Sequence, residues 1–273
     1  MNVTVSANTL TTQDGELYYE LRGRGPLVAL VGAPMDADAF APLAELLAVD
    51  HTVLTTDPRG IKRSRLDDET QVSTPELRAG DLARLLEEVD DGSAVVLGSS
   101  GGALTALALM QARPELVRAV VAHEPPVDAL LEDREVYFAG TDAIIERYLA
   151  GDVVGAWKKF MVQGNIDIPD EAIEFMFGGE RDPQAVKDER RWFAYELRAT
   201  TRWEPDLEVL RGSRSRIVVG IGEASAGQEC DLTSRALAER LGIEPVLFPG
   251  DHTGFADDPA AFVPRLGEVL ARV

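Results

Sequence analysis

Ala94-Val95-Val96-Leu97-Gly98-Ser99-Ser100-Gly101-Gly102-Ala103-Leu104 carries an apolar run into a serine framed by glycines and out again into small and aliphatic residues. The run over 94–97 is short and continuous, as in a strand buried on both faces, while 101–112 has the length of a helix and stops before Pro114. The pattern Gly98-x-Ser100-x-Gly102 therefore falls at a strand-to-helix turn. Such a turn forces the serine into a strained backbone conformation, and a side chain at 98 or 102 would collide with neighbouring backbone. Ser100 then projects above the sheet. The Gly101 amide, at the helix start, points to where negative charge develops on an attacked carbonyl oxygen. In a chain with 24 glycines the bare string is only moderate evidence, and its strand-to-helix setting carries most of the weight.

Working outward, residues 117–122 read as a second buried strand, and strand, helix, strand implies a parallel sheet. Upstream, strands are expected over 3–10, 16–22, 27–31 and 51–55, with Asp14-Gly15 and Gly23-Arg24-Gly25 as turns. A helix opens at Thr74-Pro75 and sets Leu82, Leu85, Leu86 and Val89 on one stripe. After Pro125-Pro126 the strand signals vanish, and helical stretches over 141–149, 153–161 and 184–200 replace them. The earlier rhythm resumes with a strand over 217–221, a helix over 231–241, a strand over 245–248 and a helix over 259–272. The expectation is an α/β fold, a mostly parallel sheet flanked by helices. Residues 1–126 and 213–273 form its core, with 127–212 inserted as a helical cap.

The 273 residues are 45% hydrophobic, enough for one large domain carrying an insertion. Forty-seven acidic residues against 27 basic ones give a net charge of −20, which repels phosphate backbones and anionic headgroups and argues against nucleic acid as a partner. No apolar run approaches the roughly 20 residues that span a bilayer, and no basic segment followed by an apolar stretch opens the chain. A soluble cytoplasmic protein without a membrane partner is expected. The single Cys230 excludes an internal disulfide and reads as a small packing residue, since none of the three histidines lies near it in sequence. No metal or other cofactor is expected, because the chain lacks an H-E-x-x-H motif and a Cys/His cluster. The oligomeric state stays open, a homodimer included.

Serine is a weak nucleophile without a base, and only His51, His123 and His252 are available. His51 starts an early strand and His123 ends the strand after the serine. His252 sits in Gly250-Asp251-His252-Thr253-Gly254, beyond the last expected strand. Residues just past the strand C-termini of a parallel sheet share one edge, so His252 is the expected base for Ser100 and His123 reads as structural.

The serine motif, the His252 loop and Asp57-Pro58-Arg59-Gly60 followed by Ser64 together resemble the α/β-hydrolase family, over essentially the whole chain. Val31-Gly32-Ala33-Pro34 stands where that family often has His-Gly-x-Pro, whose third residue donates the second oxyanion-hole amide. The resemblance gives that role to Ala33, beside Gly101, with valine in place of the histidine at 31. The family usually places an aspartate after the penultimate core strand, where Gly220-Ile221-Gly222-Glu223-Ala224-Ser225 has none. Glu223 is one substitute, and Glu124 in His123-Glu124-Pro125-Pro126 is another, one methylene longer than aspartate. The second arrangement is similar to the zearalenone lactonase branch, in which a glutamate in a His-Glu-x-Pro context orients the histidine, and Glu124 is preferred on that likeness. At Gly101 those lactonases carry serine.

The resemblance implies a metal-independent serine hydrolase that works through an acyl-enzyme on Ser100. Cap aromatics, Trp157 and Trp192 among them, are expected to join Met35 and Pro126 in walling an apolar, medium-sized pocket for a carboxylic ester or lactone. Epoxide hydrolases and dehalogenases of the family use an aspartate where this chain has Ser100. A carbon–carbon bond hydrolase, a cofactor-free haloperoxidase-like enzyme and a ligand-binding sensor of the same fold remain alternatives.

Overall fold

The computed structural model describes residues 4–272, apart from the side chain of Ser215. Strands β1 (Val5–Thr11), β2 (Gly15–Arg22), β3 (Leu27–Val31), β4 (Thr52–Thr56), β5 (Arg65–Leu66), β6 (Ala94–Ser99), β7 (Val117–His123), β8 (Ile217–Gly222) and β9 (Val246–Phe248) form one sheet. Its order is β1-β2-β4-β3-β6-β7-β8-β9, with β5 on β2. From β4 to β9 every neighbouring pair is parallel; β2 is antiparallel to β1, β4 and β5. The strand expected over 3–10 is β1, and residue 3 lies outside the described residues.

Helices cover both faces, which is why the central strands read as continuous apolar runs. On one side lie α1 (Ala37–Leu47) and the C-terminal α11 (Gly254–Asp257) and α12 (Pro259–Leu270). On the other lie α2 (Pro75–Val89), α3 (Gly101–Ala112) and α10 (Glu229–Leu241). Side chains of β3 alternate between the layers: Leu27, Ala29 and Val31 meet α2 and α3, whereas Val28 and Leu30 meet Phe40 and Leu43 of α1. Leu104 and Leu107 of α3 are fully buried, so truncating either to alanine would cost about 2–5 kcal/mol.

Between β7 and β8 the chain runs through α4 (Arg134–Leu149), α5 (Val153–Gln163), α6 (Asp170–Phe177), α7 (Pro183–Tyr195), α8 (Leu197–Thr201) and α9 (Leu207–Gly212). These helices hold a small apolar core of their own, where Tyr148 stacks on Phe193 with ring centroids 4.1 Å apart. The helix expected over 184–200 is two helices, broken at Glu196 (φ −128°, ψ −50°). At the break the buried Glu196 carboxylate lies 3.8 Å from the buried Arg78 guanidinium.

Two arginines tie the segment to the sheet domain. Arg191 of α7 donates to the backbone oxygens of Arg59, Glu69 and Gln71 at 2.8–3.1 Å. Arg78 of α2 donates to Thr200 Oγ1 of α8 at 3.1 Å and to Thr105 Oγ1 of α3 at 2.9 Å. The Asp57–Gly60 loop acts as a brace. Asp57 accepts from the Ala37 amide at 2.9 Å, Ser64 Oγ donates to the Asp57 carbonyl at 2.7 Å, and Arg59 makes a two-pronged bond to Asp81 at 2.6 and 2.9 Å. Among the described residues no helix is long and apolar enough to cross a membrane.

Candidate active site

Ser100 sits between β6 and α3 with φ +56° and ψ −130°, a left-handed conformation that costs a non-glycine residue of order 1–3 kcal/mol. The flanking glycines make the turn sterically feasible. A Cβ at Gly98 would stand 2.2 Å from the Gly102 carbonyl oxygen, and one at Gly102 would stand 2.1 Å from that of Val31. The Ser100 amide donates to the His123 carbonyl at 3.0 Å, which locks the turn to the end of β7. Gly101 packs so closely against Ala33 that a Cβ there would meet the Ala33 oxygen at 2.7 Å. Both residues line the same cavity wall as Ser100.

Glu124 follows the end of β7 and is fully buried in the left-handed region (φ +49°). Its amide donates to the Gly220 carbonyl at 2.9 Å, and its Oε1 accepts from the Gly222 amide at 2.8 Å, both on β8. Oε2 lies 2.6 Å from His252 Nδ1. Burial alone would push this carboxyl up. The bond to His252 and the charges of His252 and His123 outweigh it and hold Glu124 at about 2, so it is a carboxylate at neutral pH.

His252 stands in the loop after β9 with about a quarter of its side chain (28%) exposed. Burial of the ring opposes its charging, but Cys230 and the Glu124 carboxylate beside it raise it well above the ordinary imidazole range. With Nδ1 committed to Glu124, Nε2 is the nitrogen left free. Ser100 and His252 line the same two cavities without a hydrogen bond between them in this structure, as ligand-free sites often show.

The other acid and base alternatives lie elsewhere. Glu223 is exposed and its carboxylate makes no hydrogen bond to any described residue, although its amide donates to the Phe248 carbonyl at 2.8 Å. His123 is fully buried, 3.1 Å from Ser99 Oγ and edge-on to Phe248, Phe255 and Phe262. Burial lowers it to about 4 and keeps it neutral. His51 pairs with Asp50 at 2.6 Å before β4, at the opposite edge of the sheet.

Two cavities meet at Ser100. The larger, about 630 Å³, is walled by Met35, Trp157, Phe160, Met161, Ile168 and Trp192. The smaller, about 90 Å³, is lined by Pro126, Leu197, Thr200, Thr201 and Cys230, and it shares Phe160 and Trp192 with the first. Met35, Pro126, Trp157 and Trp192 thus all reach cavity walls. Trp157 is itself held by stacking on Phe177 at 4.1 Å and by donating Nε1–H to Glu189 Oε2 at 2.8 Å. Phe175 of α6, equally apolar, is 88% exposed and lines neither cavity. Thr200 and Cys230 carried no signal in the sequence. Cys230, which read as a packing residue remote from any histidine, stands beside His252.

A family model described as the alpha/beta hydrolase fold matches residues 25–155. The uncharacterised hydrolase YraK of Bacillus subtilis (strain 168) is 32% identical, over 99% of this chain and 98% of that protein. The zearalenone hydrolase of Bionectria ochroleuca is 27% identical, over 97% and 98% of the two chains. Among solved structures, a hydrolase from Pseudomonas aeruginosa superposes with a TM-score of 0.69 at 20% identity, over 97% of this chain and 98% of that one. The chain belongs to the α/β-hydrolase fold family, and it resembles the zearalenone hydrolase branch of it.

Proposed function

We propose that this protein is a serine hydrolase that cleaves a carboxylic ester or lactone of a medium-sized apolar substrate. The observation that carries the reading is the 2.6 Å bond from His252 to a buried Glu124, with Ser100 on the wall of the same cavities. A carboxylate on Nδ1 fixes the tautomer that leaves Nε2 able to accept a proton. It also stabilises the imidazolium formed when Ser100 attacks.

His252 takes the Ser100 proton as Oγ adds to the carbonyl carbon, and the amides of Ala33 and Gly101 receive the charge on the carbonyl oxygen. The histidine then protonates the leaving alkoxide. In a lactone that alkoxide stays tethered to the acyl group, so water must attack before the ring recloses. The same imidazole activates that water and restores Ser100. The helical segment from α4 to α9 serves as a cap whose Trp157, Trp192 and Phe160, with Met35 and Pro126 from the core, hold the apolar body of the substrate. An apolar wall of this extent favours an alkyl or aryl chain over a charged group. The name of the Bionectria ochroleuca relative makes a macrocyclic aryl lactone a sensible first probe.

The test is the hydrolysis rate of nitrophenyl esters of graded chain length and of zearalenone, by wild type and by Ser100→Ala, Glu124→Gln and Glu223→Gln, with folding checked by circular dichroism. Ser100→Ala is expected to abolish turnover, Glu124→Gln to lower kcat by about 10²–10⁴ and Glu223→Gln to keep most activity. Full activity in folded Ser100→Ala would sink the proposal; full activity in Glu124→Gln would return the acid to another residue.

A further inference from the structure

One cleft, apart from the two cavities at Ser100, runs against the acidic balance of the chain. It measures about 560 Å³ and opens between residues 60–70 of the sheet domain and helix α7; the charged residues of its wall are Lys62, Arg65, Lys187, Arg190 and Arg191 against a single carboxylate, Glu69. Asp67 and Asp68 belong to the same loop but not to the wall. Lys62 is held by Asp36 and Asp38, and Lys187 meets Glu69 at 2.9 Å in an exposed pair that solvent and salt weaken. The three arginines differ from these lysines. Arg65 and Arg190 are exposed, and their side chains make no ion pair or hydrogen bond with any described residue, not even Arg65 with Glu16, its cross-strand neighbour. Arg191 is only 6% exposed, yet its guanidinium binds only backbone oxygens, those of Arg59, Glu69 and Gln71. Gly60 makes room for it: a Cβ there, at φ +73°, would stand 2.1 Å from Arg191 Nε. Tyr195, also on the wall, keeps its hydroxyl free of any described partner.

We propose that this cleft binds a small phosphate-bearing molecule. A cation buried without a counter-charge is costly, and an anion beside Arg191 supplies the missing charge. Arginine presents its N–H groups in a planar fork that fits phosphate oxygens two at a time. A tetrahedral phosphoryl dianion also accepts from several directions at once, as cations on facing walls require. Arg65 comes from β5, and Arg190 and Arg191 from α7, so an occupant joins the sheet domain to the helical segment. The volume lies within the range of small-molecule sites. The net charge of −20 repels a long polyanion spread over a wide surface, whereas a small one in the cleft feels chiefly the charges nearest to it. Neither the site nor its test rests on the hydrolase reading.

Calorimetric titration of the whole protein with inorganic pyrophosphate, without magnesium and at fixed ionic strength, tests the site. Wild type is expected to bind pyrophosphate saturably and to gain thermal stability as its concentration rises, since the ligand binds the folded chain alone. Arg65→Ala and Arg190→Ala replace exposed side chains and should fold as wild type by circular dichroism. Each should weaken binding at least about tenfold, the loss that follows from removing one charge-assisted contact. Should one of them misfold, the other carries the comparison. Arg24→Ala removes an exposed arginine beyond the far end of β2, and it should leave the affinity within about twofold of wild type. No saturable heat in folded wild type, or an unchanged affinity in a folded cleft variant, would overturn the proposal. An equal loss in Arg24→Ala would do the same, as the mark of general charge attraction. Citrate bound as tightly as pyrophosphate would overturn the assignment to phosphate.

Discussion

Glu124 keeps its charge although it is buried, because His252 Nδ1 and the Gly222 amide both face its oxygens. Two pH effects follow at this scale. Its folded value, about 2, lies below the ordinary glutamate value of 4.5. The stabilisation it lends is therefore complete above about pH 4.5 and is lost as pH falls toward 2. Glu124→Gln should be less stable than wild type at pH 7, by denaturant midpoint, and the gap should narrow below pH 4.5 and close only at about pH 2. His252 shifts the other way, and in the proposed mechanism an imidazolium cannot accept the Ser100 proton. The pH profile of kcat/KM should rise through an inflection above 6.5, and that inflection should move to lower pH in Glu124→Gln. An inflection that stays in place in the variant would separate Glu124 from the base.

At the scale of elements, the strand-turn-helix of β6, Ser100 and α3 was legible from sequence because it is over-determined. Apolar runs mark the buried elements, and Gly98 and Gly102 have no room for a side chain. Gly102→Ala drives a Cβ to 2.1 Å from the Val31 oxygen and should cost about 1–3 kcal/mol or more in a denaturant titration, with activity lost in whatever folds. The His252 loop was legible too, since parallel strands end on one edge. Helix α1 was not read: Pro42 interrupts its pattern, though its buried Ala37, Phe40, Leu43 and Ala44 hold it to the sheet and Asp36 caps it. Nor was the break at Glu196 or the approach of Cys230 to His252, because in both the partner residue lies far away in the chain. Another long-range pairing has a measurable result. Asp128, just before α4, is fully buried against Glu229 of α10 and receives no hydrogen bond from a donor among the described residues. Burial and then the neighbouring carboxylate push it up to about 10. The folded chain therefore retains a proton that the unfolded chain releases above about pH 4, and the penalty grows as pH rises toward 10. Asp128→Asn should raise Tm over wild type by more at pH 9 than at pH 5.

For the molecule as a whole, 47 acidic residues against 27 basic ones set self-repulsion against a scatter of surface ion pairs. Exposed pairs contribute about 0–1 kcal/mol each and are screened by the same salt, so relief of repulsion should win. Raising ionic strength from about 0.01 to about 0.3 M should raise Tm; a fall would mean that the pairs dominate. The helical segment is fastened to the core at three separated places. Arg191 grips three backbone oxygens, Arg78 reaches Thr200, and the turn after α5 exchanges bonds with the start of α10 through Gly164 with Glu229 and Asn165 with Gly227. Three separated ties oppose a swing of this segment as a unit, and the prediction is that substrate enters past it while it stays in place. Turnover should then be indifferent to added sucrose or glycerol, whose viscous drag slows enzymes that must part their walls on every cycle.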